Sequence, residues 1–195
     1  MLSRKGLNMS DEFKITLAQL NATVGDLSGN NQKVMEAWEI ARDERSDLIA
    51  FPEMFITGYN PQDLILKNAF QKAATSSIEQ IAAACSQGPA IAVGGPFCDG
   101  DKLYNSYYIL AGGKIQAVIK KHHLPNEEVF DEVRLFSSGN VDGPFQIGKM
   151  RIGSPICEDA WHTDIVETLA ETGAQTLLVP NGSPYYRGKT DIRQN

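Results

Sequence analysis

Apolar residues occur at two different spacings along the chain, and the two spacings alternate. Short runs that are almost entirely apolar predict buried strands, and longer segments with apolar residues three or four positions apart predict amphipathic helices. On this basis we expect strands at 14–20, 47–53, 90–97 and 174–181, and helices at 30–45, 76–86 and 162–173. Gly173 ends the last helix, and Pro61 and Asp63 open a further helical stretch.

Two pairs of adjacent apolar runs predict hairpins. The first spans 106–121, with Gly112 and Gly113 at a primed-type turn, and the second spans 145–157 around Gly148. With the other elements they give an α/β order and favour a mixed sheet over a purely parallel one. Helices cover one face of such a sheet, so the other face needs a second sheet, from this chain or from a partner.

Glu53 stands at the end of the predicted strand 47–53, directly after the apolar run 48–51. A carboxylate in such a position is costly to bury unless it is paired with another polar group. One interpretation is a strand-end charge that turns into solvent. The other is a general base for catalysis. This residue taken alone does not decide between the two.

Lys121 ends the second strand of the first hairpin. Because side chains alternate between the two faces of a strand, Lys121 and not Lys120 continues the apolar face. The apolar residues of that face are Ile115, Ala117 and Ile119. We therefore expect Lys121 to point inward, where it needs a carboxylate or a developing oxyanion beside it. The alternative is a lysine that reaches solvent from the sheet edge.

Cys157 follows the apolar stretch 152–156 and precedes two acidic residues and a predicted helix. A cysteine at a strand-to-helix junction can have its thiolate stabilised by nearby backbone N–H groups. A buried structural cysteine is the alternative interpretation. Cys85, on the alanine-rich face of a helix, and Cys98, in a turn before Asp99, are interpreted as structural residues only.

The bulk composition narrows the class of protein. With 195 residues the chain can form one sizeable core, and a net charge of −6 argues against nucleic-acid or anionic-membrane partners. The apolar runs are too short to span a bilayer, and residues 1–12 are predicted to be a flexible arm, not a secretory signal. Three cysteines without a CxxC pair fit a reducing, cytoplasmic compartment.

Three motifs join the candidate residues into one pattern. FPEMFITGY contains Glu53, KKHHLPN contains Lys121 and SPICEDAW contains Cys157, in that order along the chain. The combination resembles the Glu-Lys-Cys signatures of the nitrilase, or carbon–nitrogen hydrolase, superfamily. The resemblance implies a four-layer α-β-β-α sandwich. It also implies a cysteine amidase with Glu53 as base and with Lys121 and the backbone N–H of Glu158 holding the oxyanion.

A longer stretch narrows the resemblance. Residues 121–139, ICEDAW and 181–189 are similar to the amino-terminal glutaminase domain of glutamine-dependent NAD⁺ synthetases. This implies a glutaminase domain at 13–195, shortened at its C-terminal end, that releases ammonia from L-glutamine without a cofactor. ATP and Mg are expected only for a C-terminal synthetase domain that amidates deamido-NAD and is absent from this chain. The relatives also lead us to expect a homo-oligomer.

The same resemblance implies roles for residues around the substrate. Ser183 and Lys189 would bind the α-amino and α-carboxylate groups of glutamine. Glu127 stands where relatives can place an aromatic contact, and Glu132 is a candidate second carboxylate, ahead of Glu128. The chain's histidines are His122, His123 and His162. They are scattered and lack ligand spacing, so they are interpreted as ordinary polar residues and no metal site is expected.

Two other functions fit the same residues. A stand-alone ω-amidase or carbamoyl hydrolase would use an identical triad and differ only in its substrate. A catalytically silent nitrilase-like module, used for assembly, would keep the fold without the activity. The intact triad argues against this second alternative.

Overall fold

The computed structural model describes residues 12–127 and 130–183, so the arm predicted at 1–12 lies outside the described residues except for its last position. The strands are β1 (Ile15–Leu17), β2 (Leu48–Ala50), β3 (Ala90–Asp99), β4 (Lys102–Ala111), β5 (Lys114–Lys120), β6 (Phe145–Ile147), β7 (Met150–Gly153) and β8 (Thr176–Leu177). The α-helices are α1 (Leu27–Asp43), α2 (Asn68–Ala84), α3 (Glu132–Leu135) and α4 (Thr163–Glu171). Two 3₁₀ helices span Gln62–Leu66 and Cys157–Trp161.

The two long helices form where the spacing of apolar residues predicts them. α1 begins after Asp26, whose side chain accepts the N–H of Gly29 at 2.9 Å and so caps the helix. It buries Val34, Trp38 and Ala41 along one stripe. α2 begins at Asn68 and not at residue 76. Its first two turns carry mostly polar or small residues, and for this reason apolar spacing alone placed its start too late.

The strands form two sheets. The larger sheet has the order β1-β2-β3-β4-β5, in which β1, β2 and β3 run parallel and β3, β4 and β5 run antiparallel. The smaller sheet has the order β6-β7-β8. The mixed sheet and both hairpins are thereby confirmed, and the second sheet comes from the same chain.

Four layers stack in the order helix, sheet, sheet, helix. Trp38 and Ile78, from α1 and α2, pack against one face of the larger sheet. The smaller sheet packs on the opposite face through Ile152 and Leu178. Leu169 of α4 is buried and lies against Gly153 on the far side of the smaller sheet. The expected α-β-β-α sandwich is therefore present, with each apolar face of a sheet covered.

A bulge in β5 changes which side chains share a face. Ile109 pairs with Ala117 whereas Leu110 pairs with Ile115, so the register shifts at this point. Ile115 accordingly packs on the helix side of the sheet, and the prediction that it shares a face with Lys121 was wrong. Ala117 and Ile119 do lie on the face that meets the second sheet. Alternation holds from the bulge onward and carries Lys121 inward.

Other differences from the predicted elements are local. Cys98 lies inside β3, paired with Leu103, and not in the following turn. The prediction for 174–181 yields only the two-residue strand β8, and Leu178 adds one further backbone bond, to Gly153. α3 and the 3₁₀ helix at Cys157–Trp161 have four and five residues, too few for a periodic pattern to reveal. Within 12–127 and 130–183, no helix combines the length and apolar character needed to cross a membrane.

Candidate active site

Strand ends bring the three motif residues together between the two sheets. Glu53 follows β2, Lys121 follows β5, and Cys157 begins the 3₁₀ helix after β7. Their exposed fractions are only 2%, 0% and 7%. The interpretations of Glu53 and Lys121 as surface charges were therefore wrong, since neither side chain reaches solvent.

Lys121 lies between two carboxylates. Its Nζ is 2.7 Å from Glu53 Oε1 and 2.8 Å from Glu132 Oε2, and all three side chains are fully buried. The cation has an acidic partner on each side, as a buried ammonium requires. Glu132, the candidate second carboxylate, comes from α3, so this one-turn helix serves to place a charge in the site.

Two residues that the sequence analysis did not single out complete the cluster. Asn105 Nδ2 donates to Glu53 Oε1 at 2.8 Å and to Glu132 Oε1 at 3.0 Å. Tyr59 donates its hydroxyl to Glu132 Oε1 at 2.8 Å. Asn105 is fully buried in the middle of β4. Because asparagine is depleted in strands, its position within an apolar run is the feature of the sequence that could have marked it as a site residue. Tyr59 lies within the FPEMFITGY motif, but nothing in the surrounding sequence pattern marks it as a site residue.

The protonation states follow from these contacts. Burial alone lowers the pKa of Lys121, but the carboxylates of Glu53 and Glu132 raise it more, so the pKa lies above its ordinary value and the amine stays charged. Burial, and after it the nearby Glu53, raises the pKa of Tyr59, so its hydroxyl stays a donor. Burial also raises the pKa of Glu132, against the opposing charge of Lys121.

Cys157 is held in an uncommon backbone conformation beside this cluster. Its φ is +48°, in the left-handed region that side chains other than glycine rarely adopt, and its N–H donates to Pro180 O at 2.9 Å. Burial, followed by the charge of Glu53, raises the pKa of the Cys157 thiol to about 11. The expected stabilised thiolate is therefore not the resting form, because desolvation outweighs Lys121 and the nearby N–H groups.

The segment after β8 closes on the site. The N–H of Gly182 donates to Glu53 Oε2 at 2.8 Å, and Ser183 Oγ lies 3.9 Å from Cys157 Sγ. A Cβ at residue 182 would come within 3.1 Å of Glu53 Oε2 and 2.8 Å of Tyr59 Cε1. Glycine is therefore the residue that lets this segment approach the carboxylate.

Asp159 ties the lysine segment to the cysteine segment. Its buried carboxylate accepts the N–H of Ile156 at 3.1 Å, of His122 at 3.1 Å and of His123 at 2.7 Å. Ile156 directly precedes Cys157, and His122 directly follows Lys121. One carboxylate thus fixes the backbone on both sides of the site, a role that no local sequence pattern indicated.

The remaining predicted site residues fall in different places. The backbone N–H of Glu158 lies in the first turn of the 3₁₀ helix, where N–H groups have no partner within the helix. Glu127 is exposed, and its carbonyl accepts the N–H of Phe130 at 3.0 Å. Lys189 and Glu128 lie outside the described residues. Of the proposed substrate contacts, the structure brings Ser183 to the cysteine and leaves Glu127 at the surface.

The three histidines are not scattered in the structure. His123 stacks on His162 with ring centroids 3.7 Å apart, and His122 meets His123 edge-on at 4.7 Å. The prediction that the histidines are scattered was wrong, because the loop after β5 packs against the turn before α4 and brings the three rings together.

A four-layer sandwich with a glutamate, a lysine and a cysteine gathered between its sheets is the architecture of the nitrilase-type hydrolases. Comparison with known proteins agrees: the family model described as Carbon-nitrogen hydrolase matches residues 14–193. The chain belongs to the carbon–nitrogen hydrolase family.

Its relatives include much longer proteins. It is 50% identical over 186 residues to a glutamine-dependent NAD(+) synthetase of Rhodobacter capsulatus, a match that covers 95% of this chain and 34% of the relative. The corresponding protein of Aquifex aeolicus is 38% identical over 185 residues, with 94% of this chain and 32% of the relative covered. The chain thus spans about a third of the length of these relatives.

Solved structures show the same fold. The glutamine-dependent NAD⁺ synthetase from Acinetobacter baumannii superposes with a TM-score of 0.85 at 33% identity, covering 93% of this chain and 34% of that one. An amidase from Nesterenkonia superposes with a TM-score of 0.79 at 23% identity, covering 91% of this chain and 68% of that one. The second likeness extends to the fold alone.

Proposed function

We propose that this chain is a glutamine amidohydrolase that releases ammonia through a thioester on Cys157. One observation carries the proposal: the Lys121 ammonium is fixed between Glu53 and Glu132, with the Cys157 thiol beside Glu53. A carboxamide is a poor electrophile and a neutral thiol is a poor nucleophile. The site supplies both a base for the thiol and a fixed cation for the oxygen that becomes negative.

The reaction divides into two steps that use the same groups. Glu53 takes the proton of the Cys157 thiol as the sulfur bonds to the amide carbon, and the resulting oxyanion is held by Lys121 Nζ and the Glu158 N–H. Glu53 then gives its proton to the departing ammonia, which leaves a thioester. In the second step Glu53 removes a proton from water as the water oxygen bonds to the thioester carbon. Glu53 then returns this proton to the sulfur as the carbon–sulfur bond breaks, so that glutamate and the Cys157 thiol are released.

Glu132 and Asn105 keep the base in place during both steps. Asn105 Nδ2 bridges Glu53 Oε1 and Glu132 Oε1, and Gly182 holds the other oxygen of Glu53. Glu53 therefore has a fixed orientation toward the cysteine, which favours a single geometry for proton transfer. We assign binding of the substrate's amino-acid end to Ser183 and Lys189, with Glu127 as a further substrate contact.

The named relatives support a wider setting for this activity. Those relatives are glutamine-dependent NAD⁺ synthetases about three times as long as the aligned region. We propose that the ammonia serves ATP-dependent amidation of deamido-NAD by a C-terminal synthetase domain, that ATP and Mg act only there, and that the protein is a cytoplasmic homo-oligomer.

Glutamate and ammonia release from L-glutamine tests the proposed activity. The chain should release both in equal amounts, and Cys157→Ala should abolish release while Cys98→Ala, which changes an exposed thiol, should retain it. In a protein that also carries the synthetase domain, deamido-NAD with ATP should raise the rate. Hydrolysis of other ω-amides in preference to glutamine would contradict the substrate assignment. Inactivity toward all of these amides would favour an assembly module.

A further inference from the structure

The histidine cluster forms a second polar site, separate from the catalytic groups. It consists of the loop residues His122 and His123, together with His162 and Asp164 at the start of α4. One ligand atom from each of His122, His123 and Asp164 lies within 4.8 Å of the other two. All four side chains are accessible to some degree, so a small solute can reach them. The mechanism above uses none of them.

A backbone carbonyl fixes the tautomer of His122. Its Nδ1 lies 2.7 Å from the carbonyl oxygen of Gly139, and because a carbonyl can only accept, Nδ1 carries the proton. In the neutral ring this leaves the lone pair on Nε2. A backbone carbonyl that takes the other ring N–H is the usual outer-shell partner of a metal-binding histidine, since it fixes both tautomer and ring orientation.

The backbone beneath the ligands is also fixed. The buried carboxylate of Asp159 accepts the N–H groups of His122 and His123, which holds two adjacent residues in one conformation. His123 is further held by its stack on His162. Such support lowers the entropy that a binding site loses when it captures an ion.

His123 and Asp164 already have the spacing of two ligands. His123 Nε2 lies 3.1 Å from Asp164 Oδ2, and Asp164 Oδ1 accepts the N–H of Ile165 at 2.9 Å. A tetrahedral zinc ion with bonds of about 2.0–2.1 Å separates its ligand atoms by roughly 3.4 Å. The ion would replace the proton between His123 and Asp164, and the lone pair of His122 Nε2 would supply the third bond.

We propose that His122, His123 and Asp164 bind a divalent transition-metal ion of the zinc type. Two imidazole nitrogens and one carboxylate suit Zn²⁺, Co²⁺ or Ni²⁺, whereas Mg²⁺ and Ca²⁺ prefer oxygen ligands throughout. Three protein ligands leave one tetrahedral position for water. His162 packs on the ligand His123 and is not itself a ligand.

Titration with Zn²⁺ in a cysteine-free background tests the site directly. The background is the full chain with Cys85→Ala, Cys98→Ser and Cys157→Ala, so that thiols cannot capture the ion. Isothermal calorimetry of this chain should show one saturable site. Co²⁺ should give the visible absorption of a four-coordinate ion.

Two ligand variants and one matched control decide the assignment. His122→Gln and Asp164→Asn should each weaken Zn²⁺ binding by at least about tenfold, while His162→Gln should change it by less than about threefold. Asp164 has a side chain that is 58% exposed, so its variant should fold even if the His122 variant does not. Absence of saturable binding, or equal affinity in the Asp164→Asn variant and its parent, would overturn the proposal.

Discussion

Lys121 is fully charged in a place that water does not reach. Its charge is balanced by Glu53 and Glu132, and removing one member of such a buried set costs about 3–5 kcal/mol because the others are left uncompensated. The three side chains therefore hold one another in position, in addition to the catalytic roles that we propose for Glu53 and Lys121. Asn105, which donates to both carboxylates, limits the repulsion between them.

Asp159 provides a test of positioning at the scale of one residue. In the parent protein, both oxygens of Asp159 accept backbone N–H groups. In Asp159→Asn one of these oxygens becomes an NH₂ group, which cannot accept, so the segments that carry Lys121 and Cys157 should shift. A displacement of about 1 Å can cost about a hundredfold in rate. We expect kcat for glutamine hydrolysis to fall tenfold to a hundredfold, with KM within about threefold of the parent value.

Asp142→Asn is the control for that experiment. Asp142 Oδ2 accepts the N–H of Lys120 at 3.2 Å, so it anchors the same strand end without a bond to the cysteine segment. Its variant should keep kcat within a few-fold of the parent. If both variants lose kcat equally, or if Asp159→Asn changes only thermal stability, Asp159 does not position the catalytic groups.

The residue-scale predictions from sequence succeeded where a local rule applies. Strand alternation alone placed Lys121 inward, as the structure has it, and the motifs grouped Lys121 with Glu53 and Cys157, which lie beside it in the structure. Asn105 and Asp159 act on residues distant in the chain, so no local pattern reveals their roles. Ile115 was misplaced because a one-residue bulge reverses the alternation, and bulges have no fixed sequence signal here.

At the scale of elements, the turn that carries Glu53 lies directly against β3. A Cβ built on Gly94 would lie 2.7 Å from Glu53 C and 2.8 Å from Pro52 O, both of them rigid backbone atoms. A Cβ on the neighbouring Gly95 would instead meet Ile78 Cδ1, the end of a flexible side chain, at 2.8 Å. A side chain at residue 94 would therefore clash with fixed backbone, whereas a side chain at residue 95, on the opposite face of the strand, would meet a side chain that can move.

This contrast predicts different outcomes for two similar substitutions. Gly94→Ala should push the Glu53 turn away from Lys121, lowering the free energy of unfolding by about 1–3 kcal/mol and kcat by tenfold or more. Gly95→Ala should be absorbed by Ile78, with kcat near the parent value. Urea unfolding and steady-state kinetics check both. Equal kcat in the two variants would show that the approach of β3 does not set the position of Glu53.

The elements themselves were predictable to different degrees. Long amphipathic helices and Gly-centred hairpins have strong periodic signals, and both were confirmed. α3 has four residues and carries Glu132 into the site, yet a segment of that length contains only one turn. The division of the described strands into two sheets also lay beyond the sequence, because only long-range packing brings β8 beside β7 and separates the β6-β7 hairpin from the larger sheet.

At the scale of the whole molecule, buried cysteine and tyrosine side chains are held in their neutral form. The free energy of unfolding should therefore change with pH in the alkaline range. Burial is the main cause that raises the pKa of Cys85 and Cys157, each to about 11, and it also raises the pKa of Tyr107 and Tyr108. Above about pH 9 the unfolded chain releases these protons while the folded chain retains them. The folded state then binds more protons than the unfolded state, so stability falls as pH rises.

The expected loss is measurable by urea unfolding at pH 8 and pH 10 under reducing conditions. Each buried cysteine should account for about 1 kcal/mol of the decrease over this interval. The double variant Cys85→Ala and Cys157→Ala should therefore show a smaller decrease, by about 2 kcal/mol, than a Cys98→Ser control. A free energy of unfolding that is equal at pH 8 and pH 10 in the parent would contradict the neutral, buried state of the two thiols.

Acid quenching of the protein during turnover of L-glutamine, followed by mass spectrometry of the peptide that contains Cys157, tests whether Cys157 is the nucleophile. We expect a glutamyl adduct on Cys157, with a mass increase of one glutamine less one ammonia, and no adduct on Cys85 or Cys98. The adduct should disappear when glutamine is exhausted. Glutamine hydrolysis without any adduct on Cys157, or with the adduct on another residue, would contradict the proposed nucleophile.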